Sequence, residues 1–121
     1  MYKILVVDDD SDILQIVKIL LTSKGYTVDT IIDPGQILDH IKSFTPDLIL
    51  LDVNIGLYDG RSICKDIKSN ISIMHIPVLL FSAIHGLEYI YKDCDATDFI
   101  AKPFTFDHLL AMIEKHLIAA A

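Results

Sequence analysis

Five short apolar runs, each separated from the next by a segment of helical spacing, constrain the fold of this chain more than any other feature. The first, Lys3 to Val7, ends in the acidic cluster Asp8-Asp9-Asp10 and reads as a buried strand. From Asp12 to Lys24 the apolar residues Ile13, Val17, Leu20 and Leu21 recur at helical spacing, and Gly25 after Lys24 supplies a stop. Thr27 to Ile32 is β-branched and alternating, which predicts a second strand. Pro34 then opens a helix whose apolar face is Ile37, Leu38, Ile41 and Phe44. Leu48 to Leu51 predicts a third strand, ending at Asp52, and Ser62 to Asn70 a helix with Ile63 and Ile67 one turn apart. Ile76 to Ser82 predicts a fourth strand and Leu87 to Lys92 a short helix. Asp98 to Ala101 reads as the fifth strand, and Leu109, Leu110, Ile113 and Leu117 mark a final helix.

Five strands alternating with five helices predict an α/β fold, because right-handed crossovers lay helices over both faces of a parallel sheet. The expected form is one flavodoxin-like, doubly wound (βα)5 domain over residues 1–121, with strand order 2-1-3-4-5. The length and the 52% hydrophobic content suit a single core. Seventeen acidic residues against ten basic ones give a net charge of −7, which opposes a large contact with a phosphate backbone. Direct binding of nucleic acid by this domain is therefore not expected. Cys64 and Cys94 lack the spacing of a CxxC pair or a zinc site, so they read as free thiols in a reducing, cytoplasmic setting. No apolar stretch is long enough to cross a membrane.

In doubly wound sheets function gathers at the carboxyl ends of the strands. The residues expected there are Asp8 and Asp9 after strand 1, Asp52 after strand 3, Ser82 after strand 4 and Lys102 after strand 5. Each alone has an ordinary structural explanation as a helix cap, a loop residue or a solvated lysine. Together they do not, since two carboxylates about 4 Å apart cost on the order of 4 kcal/mol at an effective dielectric of 20. Oxygen ligands without histidine or cysteine favour a hard cation such as magnesium.

Asp8-Asp9, Leu-Leu-Asp52, Phe-Ser82-Ala and Lys102-Pro103-Phe stand in the order and places found in response-regulator receiver domains, and Asp59-Gly60 adds a further match. The chain resembles that family over its whole length. The resemblance implies phosphorelay signalling, in which Asp52 is the phosphorylated nucleophile. Asp9, Asp52 and the Asn54 main-chain carbonyl would hold Mg2+, and Asp8 would act through a water. Ser82 would bond a phosphoryl oxygen, Lys102 would pair with the phosphoryl group, and Phe99 would be the aromatic switch residue. Phe99 fits a plain core position equally well, and Lys102 would offset the acidic cluster in any case. The implied partners are a sensor histidine kinase or histidine phosphotransfer protein and an output domain or protein. A homodimer formed on phosphorylation is compatible with the family.

Two departures stand out. Ile55-Gly56 replaces the usual Met-Pro, which predicts a looser loop, and Cys94-Asp95-Ala96 replaces the usual Ala-Gly-Ala, where aspartate tolerates a left-handed backbone. The stretch from Ser82 to Phe99 is also shorter than the family usually has, which predicts a fourth helix of about two turns. Three rival readings remain at this stage. Asp8-x-Asp10 resembles the nucleophile motif of haloacid-dehalogenase-type phosphatases, but Ser11 and the short chain argue against it. A calcium loop from Asp8 fails at Ile13 and Ile19, where glycine and a bidentate glutamate are needed. A pseudo-receiver that only binds partners has no use for the complete acidic and basic set. The chain reads either as a stand-alone regulator or as a piece of a longer protein.

Overall fold

A computed structural model describes residues 1–120, and it contains the expected parallel sheet. The strands are β1 (Lys3–Val7), β2 (Thr27–Ile31), β3 (Leu48–Leu51), β4 (Val78–Ser82) and β5 (Asp98–Ala101). Their spatial order is β2-β1-β3-β4-β5, with every pair parallel. The helices are α1 (Ser11–Ser23), α2 (Ile37–Phe44), α3 (Gly60–Ser69), α4 (Leu87–Asp93) and α5 (Phe106–Ala120), and a 3-10 turn at Pro34–Gln36 leads into α2. Among the described residues no helix is long and apolar enough to cross a membrane.

Strand alternation divides the core into two halves. Ile4, Val6, Leu48, Leu50, Leu79, Phe81 and Ile100 face α1 and α5, where Leu14, Val17, Leu21, Leu109, Ile113 and Leu117 cover them. Leu5, Val7, Ile49, Leu51, Val78 and Leu80 face the other way, against α2, α3 and α4 through Ile37, Ile41, Ile63, Ile67 and Leu87. Both faces of the central strands are covered, so their unbroken runs of aliphatic residues replace a polar alternation.

Local differences from the sequence-based expectation have local causes. In α1 the deepest residues are Leu14, Val17 and Leu21, whereas Ile13 and Leu20 are half-buried at the margins of that face. The β4 strand starts at Val78, because the Ile76 amide donates to Ile73 in a preceding turn and Pro77 has no amide to give. Helix α3 starts two residues earlier than its apolar spacing indicates. The Asp59 side chain caps it by accepting from the Arg61 amide, and Gly60 begins the helix against the backbone at the end of β3. There the Gly60 amide donates to the Val53 carbonyl at 2.7 Å. A Cβ on Gly60 would lie 2.0 Å from the Asp52 carbonyl oxygen.

Helix α4 has seven residues, no side-chain cap, and Gly86 before it at φ 77°. It ends where Asp95 takes φ 63°, the left-handed conformation expected of the aspartate that replaces glycine. So short a helix depends on packing. Leu87 is buried, Ile90 and Tyr91 are half-buried, and the Tyr91 ring lies 5.0 Å from that of Phe99 on β5.

Two outcomes follow from this packing. Amide hydrogen exchange from Gly86 to Asp95 should be faster than in α1; equal protection would mean that α4 is held by more than its few buried side chains. Replacing Gly60→Ala should cost about 3 kcal/mol, toward the upper end of overpacking penalties, since backbone rather than a mobile side chain must give way. Chemical denaturation would measure it, and a neutral result would contradict the close approach.

Candidate functional site

The alternation that builds the core also aims the site. Asp8, Asp52 and Lys102 each lie two residues beyond a core residue facing α1 and α5, namely Val6, Leu50 and Ile100, and they continue those rows past the strand ends. Ser82 follows Leu80 on the opposite face, the face of α4, as does Phe99. Backbone bonds hold the ends together: the Asp8 amide donates to Ile31, the Asp52 amide to Val7, and the Lys102 amide to Ser82.

Asp8, Asp9 and Asp52 bring one carboxylate oxygen each within 4.8 Å of the others. Asp8 is sealed, with its side chain 1% exposed. Its Oδ1 accepts from the Asp10 amide at 3.0 Å, and its Oδ2 accepts from Lys102 Nζ at 2.6 Å. Asp52 is less enclosed. Its Oδ2 lies 3.3 Å from Lys102 Nζ, and its Oδ1 accepts weakly from the Asn54 amide at 3.4 Å. Asp9 is exposed and accepts from the Gly56 amide at 3.1 Å. Asp10, the third acid of the run, caps α1 through the Asp12 and Ile13 amides.

Burial pushes the Asp8 carboxyl above its ordinary range. The Lys102 hydrogen bond, the Asp10 amide and the Lys102 charge oppose this, while the Asp52 charge adds to it. Lys102 is itself largely enclosed, and its Nζ stands 4.5 Å from the centroid of the Phe81 ring. Three carboxylates and one ammonium leave two uncompensated negative charges in a crevice of oxygen ligands, a donor set that suits a divalent hard cation.

Ser82 is buried at the end of β4, and its Oγ accepts from the Ile84 amide at 3.4 Å. Phe99 is half-buried beneath Tyr91. The loop after Asp52 differs from the loose segment expected. Asn54–Ile55 and Tyr58–Asp59 pair as a small antiparallel hairpin, Gly56 sits at φ 57° in its turn, and the bond to Asp9 ties the turn to the site. An apolar groove of about 370 Å³, lined by Ile13, Ile16, Val17, Ala83, Pro103 and Phe104, runs beside Lys102.

Sequence reasoning located every residue of the acidic crevice but missed two of its supports. Gly60 stands out in the sequence only as part of Asp59-Gly60, although a glycine at the opening of a helix is a signal of close backbone approach. Phe81 stands in the sequence as a strand residue and as the aromatic of Phe-Ser82-Ala, and nothing in the local sequence indicates which side chain covers its ring.

The response regulator receiver domain family model matches residues 4–114. The chain is 34% identical over 116 residues to the sensory transduction protein BceR of Bacillus subtilis, covering 94% of this chain and 49% of that protein. It is 36% identical over 118 residues to the nisin biosynthesis regulatory protein NisR of Lactococcus lactis, covering 96% of this chain and 50% of that one. The chain thus spans about half the length of these curated relatives. Among solved structures, the chemotaxis protein CheY4 of Vibrio cholerae superposes with a TM-score of 0.87 at 29% identity, covering 95% of this chain and 98% of that one. With the ordered acidic and basic set brought to one crevice on this fold, the chain belongs to the response regulator receiver domain family of two-component phosphorelay signalling.

Proposed function

We propose that the chain accepts a phosphoryl group on Asp52 from a phosphohistidine of a sensor histidine kinase or histidine phosphotransfer protein. The resulting change of conformation then controls an output domain or protein. One observation carries the choice of nucleophile. Asp52 is the carboxylate of the cluster that pairs with Lys102 and keeps its oxygens loosely held, with its side chain 9% exposed. Asp8 has both oxygens in use and is sealed, and Asp9 lies on the open side without the lysine. The same contrast disfavours the phosphatase reading, which needs Asp8 as nucleophile.

In the transfer, an Asp52 carboxylate oxygen forms a bond to phosphorus while the phosphorus–nitrogen bond of the donor breaks, and the imidazole leaves as its proton is restored. Lys102 and Ser82 offer an ammonium and a hydroxyl to the phosphoryl oxygens. Asp9, Asp52 and the Asn54 carbonyl would hold Mg2+, with Asp8 acting through a water. Bound there, the ion supplies positive charge to the transferring group. The chain therefore takes part in its own phosphorylation without being an enzyme in the ordinary sense. The apolar groove beside Lys102 gives the phosphodonor a surface next to the acceptor. The two buried free thiols, Cys64 and Cys94, support a reducing cytoplasmic setting, and the described residues form one receiver domain.

A small phosphodonor with magnesium should add one phosphoryl group to the wild type and none to Asp52→Asn by intact mass; equal labelling of the variant would remove Asp52 as the acceptor. Magnesium should also raise the melting temperature, with a stabilisation of about 2.7 kcal/mol at a hundredfold excess over Kd, and Asp9→Ala should blunt that rise. The effect has a pH sign. Burial raises the Asp8 pKa, so the contribution of its neutral form is complete below the unfolded value and is lost as pH rises through the folded value. The magnesium-dependent rise should therefore grow as pH rises, because Asp8 then loses its proton and adds a negative charge for the cation to offset. A rise independent of pH would place the ion elsewhere.

A further inference from the structure

We infer that Phe81 is a positioning residue for phosphoryl transfer, holding the Lys102 ammonium over its ring face so that the cation stays beside Asp52 whatever the charge on the carboxylates. The inference rests on Asp52 being the phosphoacceptor. Phe81 is fully buried in β4 on the side facing α1 and α5, next to Ser82, and the Phe104 ring packs against it at 6.3 Å. The ring is thus fixed from below and from one edge. Lys102 arrives from the neighbouring strand end, where its amide bond to the Ser82 carbonyl sets its backbone one residue from the ring.

An ammonium has three N–H donors. In Lys102 the Asp8 and Asp52 carboxylates take two contacts, at 2.6 and 3.3 Å, and the electron-rich ring face at 4.5 Å supplies a third favourable one. The third contact differs from the other two in kind. When Asp52 becomes an acyl phosphate its carboxylate contact is exchanged for one to the phosphoryl oxygens, whereas the contact with a neutral ring stays in place throughout. An aliphatic side chain at this place would fill the same volume, yet it would leave a largely enclosed ammonium against hydrocarbon. The sequence run Leu-Leu-Phe-Ser shows only another apolar strand residue. The crossing of Lys102 from β5 over β4 gives the aromatic identity its use.

Stepwise fluorination of the ring at position 81 separates this role from core filling, because it drains the ring face of negative charge while keeping shape and apolar character. The probe is acetyl phosphate with magnesium, and the readout is the rate of labelling at Asp52, with the melting temperature measured for each form. The rate should fall progressively, by about fivefold at three fluorines, with the melting temperature nearly unchanged. Phe81→Leu should lower the rate in the same direction. A flat or rising rate across the fluorinated series would overturn the inference, as would a rate that falls only in step with the melting temperature, since either makes Phe81 a core residue alone. Absence of labelling at Asp52 in the unaltered protein would instead overturn the phosphoacceptor reading, and this inference with it.

Discussion

The ion pair of Lys102 with two carboxylates that are themselves buried is the interaction on which the crevice depends. Asp8 and Asp52 lie at adjacent strand ends, and each would repel the other in an enclosure that solvent screens poorly. Removing one partner from such a group leaves an uncompensated buried charge, which is far more costly than the net worth of the intact pair. Lys102 therefore makes the resting arrangement tolerable. It does not make it neutral, because Asp9 brings a third carboxylate to the same point. The site is built short of positive charge, and a receiver of phosphoryl groups needs that shortage to be filled when the reacting groups come together.

The parallel sheet makes this arrangement possible at low cost. Strands β1, β3, β4 and β5 each deliver a polar residue at the same edge, and the inter-strand amide bonds continue past the last core residue to fix the site backbone. Gly60 then lets α3 close against the Asp52 carbonyl from behind, so Asp52, the proposed acceptor, is held by main chain on several sides while its oxygens stay lightly used. Rigidity of the backbone and looseness of the carboxylate are both needed for a nucleophile that must bond a new atom without rebuilding its surroundings.

The two faces of the sheet have different tasks. Asp52 and Lys102 sit on the α1 and α5 side, whereas Ser82 and Phe99 project to the side of α4. Of the three helices that cover this second side, α4 is the shortest, seven residues without a side-chain cap and with a ring contact to Phe99 as one of its anchors. Ser82 lies at the border, its backbone bonded to Lys102 and its hydroxyl to the start of the α4 loop. A change at Asp52, the proposed acceptor, thus has a short physical route to α4.

Much of this was legible in the sequence because it depends on local pattern. Aliphatic runs marked the strands, period and stop residues marked the helices, and the crossover rule implied a parallel sheet, for which the flavodoxin-like order gave Asp8, Asp9, Asp52, Ser82 and Lys102 one edge to occupy. Asp95 could be read as a left-handed residue because that conformation is a property of the residue type. What the sequence could not decide were relations between side chains distant along the chain. That Asp8 rather than Asp52 takes the short bond to Lys102, that a glycine turn is pinned by Asp9, and that a core phenylalanine lies beneath the lysine are all outcomes of packing. The sequence by itself determined which groups meet. Only the tertiary structure decided which of them are sealed and which remain free to react, because burial and hydrogen-bond saturation depend on neighbours that residue order along the chain does not specify.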